Sequence, residues 1–172
     1  IVLNHAFGRC PLVRLYNDDL YGPPTPDNPW LNRIAKHDFN VGYDFNHESR
    51  FTQEYVDRVN EYWIEEYQID GFRFDLSKGF TQRSTLGNTG AWGNYDASRV
   101  ALLKRMADHI WDIDPDSYVM LEHFADNVEE VELADYGMML WGNMNRAYIT
   151  AGKGNPSSFS GAYHETRGLS TP

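Results

Sequence analysis

Two charged side chains end a short apolar segment near the middle of the chain. Residues 69–75 read Ile-Asp-Gly-Phe-Arg-Phe-Asp, and the apolar members predict a buried strand. Because side chains alternate along a strand, Arg73 and Asp75 should lie on the same face. The arginine would hold the carboxylate ionised and fix its position. An ionised, oriented carboxylate is what a covalent nucleophile requires, although a purely structural ion pair has the same pattern.

A second carboxylate, Glu122, lies near the end of the predicted strand 117–124. Since neighbouring parallel strands are about 4.8 Å apart, we expect Asp75 and Glu122 to approach within roughly 5 to 6 Å, close to the separation in retaining glycosidases. That chemistry needs one ionised and one protonated carboxyl group. Arg73 favours ionised Asp75, whereas the apolar neighbours of Glu122 favour its protonated form. The pair therefore predicts Asp75 as nucleophile and Glu122 as general acid/base.

Three histidines make metal-dependent hydrolysis an alternative chemistry. His5, His47 and His123, together with the two carboxylates, would suit a metal-dependent hydrolase. None of these histidines has the close paired spacing of a metal-binding helix, such as His-x-x-x-His. Glycoside chemistry is therefore favoured over metal catalysis.

The composition narrows the class of partner. The chain has 172 residues, one cysteine and a net charge of −10, which argue against nucleic acid, anionic membranes and an internal disulfide framework. No apolar run reaches about 18 residues, so no membrane span is predicted. Aromatic residues make up 15% of the chain, and exposed aromatic rings suit flat ligands such as sugars. The opening Ile-Val-Leu-Asn-His resembles a strand interior, so we expect a piece of a larger protein.

Alternating strands and helices are expected to position these groups. The pattern predicts strands over 1–4, 69–75, 117–124 and 137–141, helices over 52–67, 96–112 and 126–134, and loops over 6–50, 76–95 and 153–172. This order indicates an α/β fold with parallel strands joined by right-handed crossovers. The acidic side chains then fall at the C-terminal ends of strands, where active sites lie in α/β barrels.

Four segments resemble the α-amylase family of glycoside hydrolases, in the family's order. Residues 2–5 (Val-Leu-Asn-His) are similar to its first motif, and 71–75 (Gly-Phe-Arg-Phe-Asp), continuing to Lys78, match its second. Residues 119–123 (Val-Met-Leu-Glu-His) hold the glutamate of the third motif. Residues 41–47 (Val-Gly-Tyr-Asp-Phe-Asn-His) resemble the loop segment before the helix that precedes the fourth strand, most like branching or debranching members.

The resemblance implies a partial TIM (β/α)8 barrel with about four parallel strands, from roughly the third to the sixth barrel strand. It covers residues 1–142 and leaves 143–172 loop-rich and unassigned, within one domain spanning 1–172. It implies a retaining glycoside hydrolase or transglycosylase acting on α-glucans such as starch or glycogen. No cofactor is required for this chemistry, and similar enzymes are often secreted or periplasmic. The chain alone is expected to be inactive and to self-associate through open sheet edges.

The resemblance also implies a role for individual residues. It makes Asp75 the nucleophile, Arg73 its positioning partner and Glu122 the acid/base. Substrate contacts are expected at His5, Lys78 and His123, and a calcium ion, where one is bound, at Asn4.

Two departures from the family pattern keep another class open. The second motif commonly ends Lys-His, but Gly79 stands here and removes a sugar contact on the leaving-group side. No segment up to residue 172 matches the fourth motif with its transition-state aspartate. Because that aspartate is missing and exposed aromatic side chains suit sugars, a non-catalytic carbohydrate-binding or scaffold protein with an amylase-like core is the alternative.

Overall fold

The structure is a computed structural model that describes residues 1–40, 42–140, 142 and 144–159. Its strands are β1 (His5–Ala6), β2 (Tyr43–Asp44), β3 (Gly71–Phe74), β4 (Tyr118–Leu121) and β5 (Met139–Leu140). Its helices are α1 (Pro11–Arg14), α2 (Arg50–Tyr67), α3 (Thr89–Gly93), α4 (Ala97–Ile113), α5 (Asn127–Asp135) and α6 (Asn145–Gly152), with a 3₁₀-helix at Ser77–Phe80. Among the described helices, none combines the length and apolar character that crossing a bilayer demands.

A parallel sheet in the order β3-β4-β5 carries the candidate carboxylates. The even-numbered residues of β3 and the odd-numbered residues of β4 are buried, so one face of these strands points into the core. Helices α2, α4 and α5 contribute to the same apolar cluster as four strand residues, Phe72, Phe74, Val119 and Leu121. Alternation therefore directs Arg73 and Met120 to the opposite face.

Helices α2 and α4 run the length that their apolar periodicity predicts. In α2, Val56, Asn60 and Ile64 are buried at four-residue intervals, which is the spacing of one helix face. Asp96 caps α4, because its side chain accepts hydrogen bonds from the backbone N–H groups of residues 98 and 99. A bidentate ion pair joins the two helices, with Arg105 guanidinium nitrogens 2.9 Å and 2.8 Å from the Asp57 carboxylate oxygens.

Glycine is required at Gly71, where β3 approaches β4 most closely. A Cβ at this position would lie 2.3 Å from the carbonyl oxygen of Tyr118. Gly71 also has a φ of +150°, which other residues rarely adopt. Any side chain here would push β3 away from β4 and disturb the edge on which both carboxylates lie.

The N-terminal strand prediction was wrong. Residues 1–4 form no strand, and β1 lies at His5–Ala6, where it pairs antiparallel with β2. Ile1 alone reaches β3, because its N-terminal amine donates to Arg73 O at 2.6 Å and its carbonyl accepts from Asp75 N at 2.9 Å. The described residues thus hold three parallel strands in this sheet instead of about four.

Other boundaries differ at loops and near the C-terminus. The loop predicted over 6–50 contains α1 and β2, and that over 76–95 contains the 3₁₀-helix and α3. Helix α6 was not predicted, and among the described residues of the strand expected over 137–141, Met139–Leu140 form a strand. Parts of three predicted segments lie outside the described residues: Val41, Trp141, Asn143 and 160–172.

Candidate active site

The site is built at the C-terminal ends of β3 and β4. Parallel register pairs Arg73 with Met120 and Phe74 with Leu121, so the following residues, Asp75 and Glu122, are also opposite each other. The backbone supports this match, since Glu122 N donates to Phe74 O at 3.0 Å. The two carboxylates therefore end neighbouring strands at the same level and on the face away from the core.

One guanidinium group contacts both carboxylates. Arg73 Nη1 lies 2.5 Å from Asp75 Oδ1, and Arg73 Nη2 lies 2.9 Å from Glu122 Oε2. The three side chains are partly exposed, with 40%, 34% and 25% of their areas accessible for Arg73, Asp75 and Glu122 respectively. The Arg73 guanidinium thus holds the two carboxylates in place, and all three side chains remain accessible to a ligand.

The surroundings of Glu122 differ from the expectation. The sequence predicted an apolar environment without a cation, but Arg73 and the backbone N–H of Leu76 both donate to Oε2, the latter at 3.0 Å. The Glu122 carboxylate therefore has charged and polar neighbours at Oε2 in place of the expected apolar ones. This difference arises from the tertiary structure. Arg73 contacts Asp75 at the end of its own strand and also contacts Glu122 at the end of β4.

Arg73 lowers the pKa of Asp75. Burial by itself would raise the pKa of Asp75, but the hydrogen bond and the charge of Arg73 lower it, as does a hydrogen bond with Glu122. The hydrogen bond and charge of Arg73 therefore favour the ionised form of Asp75.

The turn after each strand contains a bulky residue in the left-handed region. Leu76 has a φ of +42° and Phe124 a φ of +53°, a conformation that costs non-glycine residues about 1 to 3 kcal/mol. The Leu76 turn directs its N–H to Glu122, and the Phe124 carbonyl accepts a hydrogen bond from Lys78 Nζ at 2.9 Å. The two turns are therefore tied to each other across the strand ends.

Lys78 and His5 occupy different positions around the carboxylates. Burial lowers the pKa of Lys78, whose ammonium group lies 4.1 Å from the centre of the Trp92 ring. Lys78 thus braces the two turns, and a substrate contact by it stays a prediction. Burial likewise lowers the pKa of His5, which the nearby charge of Asp75 would raise. His5 accordingly lies within electrostatic reach of Asp75.

His123 lies in the interior instead of at the carboxylate rim. It is 1% exposed, with Nδ1 2.9 Å from Ser77 Oγ and Nε2 2.6 Å from Glu129 Oε1. His123 therefore points into the interior in this structure, and a sugar contact by it stays a prediction. Strand alternation gives the reason, because Glu122 points to the open face and the next side chain must point inward.

Asn4 bonds to the backbone of Asp75, and a calcium contact by its side chain stays a prediction. Its Nδ2 donates to Asp75 O at 2.7 Å, while its buried Oδ1 has no hydrogen-bond partner among the described residues. Calcium takes six to eight oxygen ligands. The described part of the chain contains no group of three or more histidine, cysteine or acidic side chains that could hold a metal. His47, one of the three histidines available to the metal-hydrolase alternative, is buried, with Nε2 2.7 Å from Leu3 O.

Gly79 occupies a position at which the family resemblance predicts a histidine. A different histidine, His37, fills the space beside it. A Cβ on Gly79 would lie 2.9 Å from Asn4 Cβ and 3.1 Å from His37 Nε2. His37 is fully buried and stacks on Trp92 with ring centroids 4.6 Å apart. The sequence interpretation missed His37, because it lies in a long irregular loop and nothing in its local pattern indicates this position.

Fold and site together define an α/β protein whose parallel strands end in an arginine-bridged carboxylate pair. The 1,4-alpha-glucan branching enzyme GlgB of Aliivibrio fischeri is 25% identical over 117 residues, covering 64% of this chain and 16% of the relative. A PulA variant from Klebsiella pneumoniae matches with a TM-score of 0.53 at 19% identity, covering 83% of this chain and 13% of that chain. PulA from Klebsiella oxytoca gives 0.52 at 17% identity, with 83% and 12% covered.

These likenesses confirm the resemblance of the chain to the α-amylase family. No protein-family model matches the chain. The chain spans between 12% and 16% of the length of these relatives. The likeness to the solved structures concerns the fold, and the roles of individual residues rest on the geometry described above.

Proposed function

We propose that this chain is part of the catalytic (β/α)8 barrel of a retaining glycoside hydrolase or transglycosylase that acts on α-glucans. The observation that supports it most strongly is the double contact of Arg73 with Asp75 and Glu122 at the ends of adjacent parallel strands. Active sites of α/β barrels lie at this end of the strands. The branching enzyme among the relatives acts on 1,4-α-glucan by name, which agrees with such a substrate.

The proposed reaction has two steps. Ionised Asp75 attacks the anomeric carbon while Glu122 gives its proton to the departing glycosidic oxygen, which leaves as a hydroxyl group. Water, or the hydroxyl of a second glucan in a transfer reaction, then attacks the glycosyl-enzyme ester. Glu122 takes the proton of this nucleophile, and the Asp75 carboxylate is released.

Arg73 serves both steps by electrostatics and position. Its charge keeps Asp75 ionised in the resting state, and its fork-shaped group holds the two carboxyl groups at one distance from each other. His5, within electrostatic reach of Asp75, is the proposed sugar contact next to the bond that is cut.

The test uses the whole protein that contains this chain, with soluble starch, pullulan and glycogen as substrates. Asp75→Asn and Glu122→Gln should each lower kcat at least about a thousandfold, because each removes a group that takes part in bond cleavage. An exposed-pair variant, Asp18→Asn, is the matched control and should retain activity. Full activity of Asp75→Asn would overturn the proposal, and glucan binding without cleavage in the parent would favour the non-catalytic alternative.

The chain by itself is proposed to be inactive and prone to self-association. Exposed aromatic side chains on α2, namely Tyr62, Trp63 and Tyr67, have 52%, 40% and 57% of their surface accessible. An open cleft of about 330 Å³ next to them reaches the edge of β3 and includes Ile1 and Arg73. Gel filtration tests this proposal, since a stable monomer of 19.9 kDa would contradict it.

A further inference from the structure

A buried polar network lies directly behind the carboxylate pair. We define the positioning network as Ser77, His123, Glu129 and Arg99. All four residues are buried: Ser77 and Glu129 have no accessible surface, and His123 and Arg99 are each 1% exposed. Buried ionic groups are costly unless every polar atom is paired. A network of this kind at the back of an open site therefore calls for a structural reason.

The network begins at the backbone of Glu122. Ser77 N donates to the Glu122 carbonyl at 2.9 Å, and Ser77 Oγ lies 3.1 Å from the same oxygen. Ser77 Oγ is also 2.9 Å from Nδ1 of His123, the residue next to Glu122. One hydroxyl thus contacts the main chain on which the proposed acid/base is mounted and the first side chain behind it.

The network ends in helices α4 and α5. His123 Nε2 is 2.6 Å from Glu129 Oε1, and Arg99 Nε and Nη2 lie 2.6 Å and 2.7 Å from the two Glu129 oxygens. The remaining Arg99 donors bond to the carbonyls of Trp92 and Asn94, each at 3.1 Å. Glu129 also accepts from Asp96 N at 2.8 Å. These hydrogen bonds therefore anchor the C-terminal end of β4 to helices α4 and α5, and the charged groups of the network are paired with each other.

Partners in the network assign the protons. Glu129 accepts from Arg99, so it is ionised and His123 Nε2 must donate to it. Burial lowers the pKa of His123, although the charge of Glu129 opposes this effect. Ser77 Oγ donates to the Glu122 carbonyl and also lies within hydrogen-bond distance of His123 Nδ1, where the donor depends on the histidine tautomer. Ser77 and His123 thus link the Glu122 backbone to Glu129.

We propose that the positioning network fixes the separation and orientation of Glu122 relative to Asp75, with Ser77 and His123 as positioning residues that touch no substrate. This inference rests on the proposed function of Asp75 and Glu122. It concerns how the two carboxyl groups are held in position and not which bond they cleave. The mechanical route is short: Ser77 follows Leu76, whose N–H bonds to the Glu122 carboxylate. Movement of Ser77 therefore changes a hydrogen bond to the reacting group itself.

Carboxyl-carbon NMR titration of this chain tests the proposal without requiring activity. Ser77→Ala removes the hydroxyl and should move the titration midpoints of both Asp75 and Glu122 by roughly half a pH unit or more. Ser77→Thr retains a hydroxyl and should restore the wild-type midpoints. Glu132→Gln is the matched control, since this carboxylate lies on the same helix α5 but bonds outward to Lys104 at 2.7 Å. It should leave both midpoints unchanged.

The outcomes separate the two proposals. Unchanged midpoints in a folded Ser77→Ala chain would overturn the positioning role, whatever the parent protein cleaves. Shifted midpoints with rescue by Ser77→Thr would support it even if the parent shows no hydrolysis, in which case only the proposed function fails. Equal shifts in Ser77→Ala and Glu132→Gln would also count against the network, because the effect would then be a general one of charge or stability.

Discussion

Arg73 Nη2 lies 2.9 Å from Glu122 Oε2, so the arginine that holds the carboxylate of its own strand also holds the carboxylate of the next strand. This contact makes the two acids one electrostatic unit. Changes to Arg73 must therefore affect the position of both acids. The sequence pattern indicated only the half of this arrangement that lies within β3.

Replacement of Arg73 by Gln should raise the pKa of Asp75. The guanidinium supplies both a hydrogen bond and a positive charge that lower this pKa, and glutamine keeps polar character without the charge. Carboxyl-carbon NMR titration of the chain measures the effect. Arg33→Gln, which removes an exposed arginine paired with Asp18 at 2.7 Å, is the control and should leave Asp75 as it is. An unmoved Asp75 midpoint in Arg73→Gln would contradict the assignment.

Acid should destabilise the chain through His47. Burial lowers the pKa of His47 from 6.5 to about 3, so the unfolded state binds a proton at a higher pH than the folded state does. Stability from this group is fully present above pH 6.5 and falls as the pH decreases toward 3, by about 5 kcal/mol in full.

Urea unfolding at a series of pH values measures this contribution. His47→Gln, which does not titrate, should give a shallower fall in the free energy of unfolding between pH 6 and pH 4 than the wild type. At pH 7 the variant should be less stable by roughly 1 to 3 kcal/mol, because the imidazole bonds to Leu3 O and stacks on Phe80. Parallel pH curves for the two proteins would exclude His47 as the source.

Truncation of Phe74 should destabilise the sheet from its core face. Phe74 is fully buried, whereas Phe7 is 67% exposed. We expect Phe74→Ala to cost about 3 to 5 kcal/mol in the free energy of unfolding, the range for large aromatic truncations in cores. Phe7→Ala is the matched control and should cost less than about 1 kcal/mol. Similar losses in the two variants, measured by urea unfolding, would show that the described core face is incorrect.

Gly79→Ala should destabilise the chain by about 1 to 3 kcal/mol, because its Cβ would press on Asn4 and His37. The cost should shrink when His37→Ala is added, and a double-mutant cycle on thermal unfolding measures this coupling. Gly93→Ala is a suitable control, since a Cβ there meets nothing within 4 Å. Simple additivity of Gly79→Ala and His37→Ala would mean that the two residues do not share the space.

Local patterns were enough to place the main helices and the central strands. Helix α2 begins two residues before its predicted start, and α4 is displaced by one residue, because a continuous apolar stripe determines which residues face a core. The strand expected over 1–4 is absent because the backbone contacts of Ile1 with residues 73 and 75 do not extend into a ladder, and β1 pairs with a partner in the long loop instead. Pairing between distant segments leaves no periodic signal in a two-residue strand.

The sequence by itself determined which side chains end β3 and β4 and that Arg73 and Asp75 share a face, because alternation along a strand follows from backbone geometry alone. Only the tertiary structure decided that Arg73 also reaches Glu122, that His123 is turned inward to Glu129, and that His37 fills the space beside Gly79. These contacts join residues from different elements. Their geometry depends on strand register and loop packing, which no local spacing encodes.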